Sequence, residues 1–150
     1  MTYADSSFIS SVYLPDCHTA QAREFVDSHR PRLPFIFLHW PEVAGTIWKH
    51  SPLAEPIWER LKNDIADGKF LSPELDAEAV SRRAAGLMVH FSPRWKKLRS
   101  LDAMHVSAAV EGGFKTFLSF DTNSFQRTLA ASQKLKVWPP LNDLETAQLK

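Results

Sequence analysis

Short apolar segments alternate along the chain with longer segments in which apolar residues recur every three to four positions. The short segments have the length and residue types of strands, whereas the longer ones have the periodicity of helices that bury one face. Five segments are predicted as strands: Thr2–Ala4, Phe35–Leu38, Lys69–Leu71, Lys115–Phe120 and Lys136–Trp138. Short apolar strands that alternate with helices favour a parallel sheet covered on both faces.

Capping residues and helix breakers mark where the predicted helices begin and end. One helix is predicted to begin at Ser6 or Ser7, and another to begin at Ser72 with a proline in its first turn. The other helical segments are His18–His29, Pro41 to about His50, Ile57–Asp67, Ser100 to about Glu111 and Asn123–Gln133. The prolines at positions 139 and 140 are predicted to end the fold.

Length and composition indicate a single globular domain over residues 1–150. Hydrophobic residues make up 44% and charged residues 23% of the 150 residues, which is ordinary for a folded domain. No apolar stretch approaches the roughly 18 residues that a membrane span needs, so no membrane contact is expected. Cys17 is the single cysteine and cannot form an internal disulfide, which favours a cytoplasmic location.

The charge is unevenly distributed, although the formal net charge is only +1. Any nucleic-acid contact must therefore come from a local basic patch. Such a patch is predicted between Arg82 and Arg99, a stretch that has no acidic residue. Its candidate RNA contacts are Arg94, Lys96, Lys97 and Arg99. They are interleaved with aromatic residues, as single-strand contact requires, but a solvated surface remains an equal alternative.

Four acidic residues fall where a parallel sheet would bring them together. Asp5 follows the first predicted strand, Asp121 follows the strand that begins at Lys115, and Glu42 begins the helix after Phe35–Leu38. Asp102 lies in the first turn of the helix that begins at Ser100. Ligands bind beyond the carboxyl ends of strands in open parallel sheets, where helix N-termini also point.

A single acid in a helix first turn is most often a structural partner of the helix dipole. Four acids at one edge of a sheet are harder to explain in this way, because carboxylates held close together repel. A hard divalent cation such as Mg²⁺ or Mn²⁺ relieves that repulsion, since these ions prefer oxygen ligands. Such a site activates water and stabilises the charge that develops on a phosphate during transfer.

Three short motifs resemble those of the PIN-domain family. Tyr3–Ser7 resembles its first motif, a strand that ends in Asp followed by Ser or Thr. Arg99–His105 resembles the Arg-x-x-Asp-x-x-His segment, and Phe117–Asp121 resembles the final strand-plus-Asp motif with Ser119 in place of the usual Thr. Glu42 falls where the family has its second acid. The motifs occur in the family's order and cover nearly the whole chain, except for a long middle segment over residues 51–98.

The resemblance implies an α/β fold, a three-layer α/β/α sandwich with a central parallel sheet of about five short strands. It implies a Mg²⁺- or Mn²⁺-dependent endoribonuclease with Asp5, Glu42, Asp102 and Asp121 as catalytic and metal-binding residues. The implied supporting residues are Ser6, Ser119 and, less directly, Asn123. Resemblance to VapC-type toxins implies a cognate antitoxin protein, a homodimer and RNA as the substrate.

His105 shares a helix face with Asp102 and is unusual as a ligand in an oxygen-rich site, so we expect it to hydrogen-bond or pack. Three alternative functions stay open. The first is a PIN nuclease that processes RNA without an antitoxin, and the second is a non-catalytic PIN scaffold that binds RNA or protein. A response-regulator receiver also binds Mg²⁺ beyond a strand, but it needs a second acid soon after the first strand and a late lysine, and neither is convincing.

Overall fold

The computed structural model describes residues 1–150 and is mostly helical, with eight helices and three short strands. The strands are β1 (Thr2–Ala4), β2 (Thr116–Leu118) and β3 (Lys136–Trp138). The helices are α1 (Ser6–Tyr13), α2 (Thr19–His29), α3 (His39–His50), α4 (Ala54–Ala66), α5 (Ala77–Phe91), α6 (Ser100–Glu111), α7 (Gln126–Ser132) and α8 (Asp143–Gln148). None of the helices is both long and apolar enough to span a bilayer.

The three strands form one parallel sheet in the order β1-β2-β3, with Tyr3 opposite Phe117 and Ala4 opposite Leu118. Successive side chains of a strand point to opposite faces of the sheet. Tyr3 and Phe117 accordingly join a buried cluster with residues of α5, α6 and α7. Ala4 and Leu118 join a second cluster with residues of α1, α2, α3 and α4. The small sheet is therefore covered by helices on both faces.

The predicted sandwich around about five strands is wrong, because two of the five predicted strands do not form. Near Phe35–Leu38 and Lys69–Leu71, the only ladder contact is an isolated parallel bridge between Pro34 and Leu71. The chain turns into α3 immediately afterwards, and the backbone N–H of Ile36 donates to Nδ1 of His39 at 2.9 Å instead of to a neighbouring strand. Because a side chain satisfies this N–H, the apolar run ends as a buried turn.

Two further boundaries differ from those predicted. Helix α5 begins at Ala77 and not at Ser72, since the Asp76 carboxylate accepts hydrogen bonds from the backbone N–H groups of Glu78 and Ala79. The chain also continues into α8 beyond the prolines, where Asn142 and Glu145 cap each other's backbone N–H groups.

Helix α8 is tied to the rest of the molecule by a buried ion pair. The guanidinium of Arg127 donates to both carboxylate oxygens of Glu145, at 2.8 and 3.2 Å. The same guanidinium donates to the carbonyl oxygens of Ser119, Pro139 and Pro140. Arg127 therefore connects the segment after β2 to the C-terminal turn, and it fixes the backbone beside Ser119.

Candidate functional site

The four acids predicted from the sequence all line one open cleft of about 870 Å³. Asp5 follows β1 directly, and Asp121 lies three residues after β2, the strand that pairs with β1. Asp102 enters from the first turn of α6, and Glu42 from the first turn of α3. Only 2 of the 21 residues that line the cleft are hydrophobic, so its chemistry is that of hydroxyls, acids and a few cations.

Asp5 is held rigidly at the bottom of the cleft. Its Oδ1 accepts hydrogen bonds from Ser7 Oγ at 2.7 Å and from the backbone N–H of Phe8 at 2.9 Å, which also caps α1. Its Oδ2 accepts a hydrogen bond from Ser119 Oγ at 2.6 Å. Burial raises the pKa of Asp5 above its usual value, and these three hydrogen bonds only partly offset that effect. A nearby positive charge would therefore favour the ionised form of this carboxyl.

Glu42 belongs to a chain of hydrogen bonds that runs into the core. Its Oε2 accepts from Ser6 Oγ at 2.5 Å and lies 2.6 Å from Nε2 of His105. On the other side of the ring, Nδ1 of His105 lies 2.6 Å from the hydroxyl of Tyr3. Burial raises the pKa of Glu42, but the hydrogen bonds and the charge of His105 outweigh it, so the pKa is lowered overall. His105 therefore has the hydrogen-bonding role expected for it, and it acts on Glu42.

Asp102 and Asp121 are bridged by the guanidinium of Arg99. Nη2 of Arg99 lies 3.2 Å from an oxygen of each carboxylate, and Nε lies 3.0 Å from the other oxygen of Asp102. Asp102 also accepts the backbone N–H of Arg99, which closes the first turn of α6. The guanidinium thus lies between two of the four acids, and the Arg99 side chain is still 68% exposed. Sequence reasoning assigned Arg99 to RNA and missed this internal bridge.

No group of three or more histidine, cysteine or acidic side chains is close enough to hold a metal ion. The donor set nevertheless fits a hard divalent cation in its chemistry, because four carboxylates and several hydroxyls line the same open cleft. In this arrangement, the positive charge facing Asp102 and Asp121 comes from Arg99. A metal ion at these carboxylates would have to compete with that guanidinium.

The predicted supporting residues take different places. Ser119 binds Asp5, and Ser6 binds Glu42. Asn123 does not line the cleft, and its recorded contact is its backbone N–H, which donates to Oδ1 of Asp121. Sequence reasoning missed Gln126, which is buried, lines the cleft and accepts a hydrogen bond from Ser119 Oγ at 3.2 Å.

Of the predicted RNA contacts, only Arg99 lines the cleft. Arg94 lies over the rings of Phe91 and Trp95, and Lys96 and Lys97 are exposed on the surface. The cleft has other basic residues that the sequence analysis did not single out: His18, Lys49 and His50. Lys49 lies seven residues after Glu42, a helical spacing that could have revealed it.

Comparison with known proteins identifies no relative. No model of a known protein family matches the chain, and no curated protein matches it.

Proposed function

We propose that this chain is a Mg²⁺- or Mn²⁺-dependent endoribonuclease of the PIN type, the toxin of a toxin–antitoxin pair. The observation that carries the proposal is the convergence of Asp5, Glu42, Asp102 and Asp121 on one polar, open cleft. These residues come from four separate places in the chain, and the PIN-like motifs of the sequence contain three of them. A structural role for each acid separately would not require a shared cleft.

The residues around the acids have roles that fit this chemistry. Ser7, Ser119 and the N-terminus of α1 hold the Asp5 carboxylate in one orientation, and Ser6 and His105 hold Glu42. Preorganised oxygen ligands of this kind lower the cost of binding a cation. When bound, the metal would activate water and stabilise charge on the phosphate. Asp5, Glu42, Asp102 and Asp121 would hold it.

Arg99 adds a step that the sequence alone does not suggest. Its guanidinium neutralises Asp102 and Asp121 in the structure, so it must leave at least one of them before a divalent ion binds there. The exposed side chain has room to turn towards solvent. The proposal also includes the parts that rest on resemblance, namely a cognate antitoxin protein, a homodimer and a cytoplasmic location.

A second candidate function is a non-catalytic scaffold that binds RNA or protein, and one observation favours it. Arg99 already balances two of the acids, so the cleft is stable in charge without a metal. A PIN-type nuclease that processes RNA without an antitoxin has the same site. It would differ in causing no growth arrest and in copurifying with no small partner from its native host.

The test is cleavage of single-stranded RNA by the purified protein in Mg²⁺, in Mn²⁺ and in EDTA. Cleavage is expected with either metal and not in EDTA. Asp121→Asn is expected to lower the rate about 100-fold or more, because ligands of a metal site act as a unit. Asp143→Asn is the matched control, since Asp143 is an exposed acid in the first turn of α8. Equal rates for the two variants would remove the assignment, and no cleavage by the wild type would favour the scaffold.

A further inference from the structure

The cleft extends well beyond the four acids, into a channel between α1 and α3. One wall is the serine-rich face of α1, which includes Ser7, Ser10 and Ser11. The other wall is a face of α3. This part of the cleft is not needed to bind a metal ion, so its composition requires a separate explanation.

The α3 wall changes from acidic to basic along its length. Glu42, Gly45 and Lys49 all line the cleft, and their spacing of three to four residues puts them on one face of the helix. Seven residues separate Glu42 from Lys49, which corresponds to about 10 Å along a helix axis. A stacked strand rises about 3.4 Å per nucleotide, so this distance matches roughly three nucleotides. Lys49 forms no ion pair within the protein.

Two details show that the channel has space and an unused polar group. A side chain added at Gly45 would meet no atom within 4 Å, so the absence of a side chain keeps the channel open there. On the facing wall, Ser10 is 2% exposed and its Oγ has no hydrogen-bond partner. A buried hydroxyl without a partner is costly to a fold, which indicates that a ligand or ordered water completes it.

A stacked aromatic pair lies at the edge of the same cleft. The rings of His18 and Phe120 are parallel to within 3°, with centroids 4.3 Å apart, and both residues line the cleft. Planar side chains at the edge of a polar groove are what a nucleobase stacks on. A phosphate-binding cation at one end and a stacking surface near the acids are two requirements of a single nucleic-acid strand.

We infer that the channel between α1 and α3 binds a single-stranded polynucleotide, with the backbone passing Gly45 and one of its phosphates at Lys49. This inference rests on the proposed function in that it places the scissile phosphate at the acids. The strand then runs along α3 away from them, with the hydroxyls of α1 opposite. The surface lysines at 96 and 97 lie outside this path.

The test is the binding of a short, unstructured, fluorescein-labelled RNA, followed by fluorescence anisotropy in EDTA over a range of salt concentrations. Gly45→Leu is expected to weaken binding by obstructing the channel. Gly86→Leu is the matched control, because Gly86 is also a helical glycine beside open space and lies outside the cleft. Circular dichroism of both variants checks that the helices are intact.

Lys49→Gln gives an independent measure. It is expected to flatten the dependence of log affinity on log salt by about 0.7, the value for one phosphate contact on a single strand. Lys115→Gln, which changes an exposed lysine outside the cleft, is expected to leave the slope unchanged. An unchanged slope in Lys49→Gln, or equal binding by the two leucine variants, overturns the channel.

Binding and cleavage separate this inference from the proposed function. If the wild type binds RNA and Gly45→Leu does not, but no metal restores cleavage, the channel stands and the nuclease proposal fails. If the wild type cleaves RNA and Gly45→Leu binds and cleaves equally well, the nuclease stands and the channel fails. A wild type that does not bind the RNA overturns the channel.

Discussion

Protonation of His39 is expected to destabilise the fold as the pH falls below neutrality. The ring is fully buried, Nδ1 accepts the backbone N–H of Ile36, and Nε2 lies 2.8 Å from the carbonyl oxygen of Ala4. Since Nδ1 accepts, the ring is neutral and Nε2–H donates to Ala4. His39 thereby fixes the residue before Asp5 and begins the helix that carries Glu42.

The size of the effect follows from the pKa. Burial, together with the neighbouring charge of His105, lowers the pKa of His39 from 6.5 to about 3. The unfolded chain therefore takes up a proton near pH 6.5 that the folded chain does not. The stabilisation is complete above that pH and is lost progressively as the pH falls towards 3. At pH 5, a difference of about 1.5 pH units from the unfolded pKa corresponds to a loss of about 2 kcal/mol.

The assay is urea unfolding of the wild type and His39→Gln at pH 7.5 and pH 5. With a slope of about 2 kcal/mol per molar urea, the wild-type midpoint should fall by about 1 M more than that of the variant. The variant is expected to be less stable at pH 7.5, because glutamine leaves a buried backbone group without its partner. His90→Gln, at an exposed position on α5, should keep the wild-type pH dependence. Identical pH dependence in wild type and His39→Gln would refute the reasoning.

Three further predictions concern cations in the structure. Arg99→Gln is expected to bind Mn²⁺ more tightly than the wild type in calorimetric titration, since the ion no longer displaces a guanidinium from Asp102 and Asp121; equal or weaker binding would contradict this. Arg127→Met is expected to lower the free energy of unfolding by about 3–5 kcal/mol, because Glu145 keeps a buried charge without its partner, and a loss below ~1 kcal/mol in chemical denaturation would argue otherwise. Alanine at Arg94, Lys96 and Lys97 together tests the basic stretch: RNA contact flattens the salt dependence of binding by about 0.7 log unit per phosphate, and an unchanged slope indicates a solvated surface.

The positions of the acids followed from the sequence because they depend on simple topology. Strands β1 and β3 form where the apolar segments predicted them, and β2 lies within its predicted range. Because β1 and β2 are parallel neighbours, residues after their carboxyl ends, such as Asp5 and Asp121, lie at one edge of the sheet. That argument needs no side-chain detail, and the cleft contains all four acids it concerned.

The remaining features depend on contacts that no local pattern contains. Phe35–Leu38 has the composition of a buried strand, but the ring of His39 takes the N–H of Ile36 and the chain turns. The bridge from Arg99 to Asp121 joins residues 22 positions apart through the orientation of one side chain. The start of α8 is different, because Asn142 and Glu145 have the spacing of a capping box and could have been recognised.

The central claim is that the four acids form a divalent-metal site, and the most direct test is the melting temperature of the protein with and without Mn²⁺. An ion that binds only the folded protein, at tenfold over its dissociation constant, adds about 1.4 kcal/mol to stability. For a domain of this size that corresponds to a rise of roughly 3–6 °C in melting temperature. The account predicts this rise for the wild type and for Asp143→Asn, and little or none for Asp5→Asn/Asp121→Asn. No rise in the wild type, or an equal rise in the double variant, would contradict it.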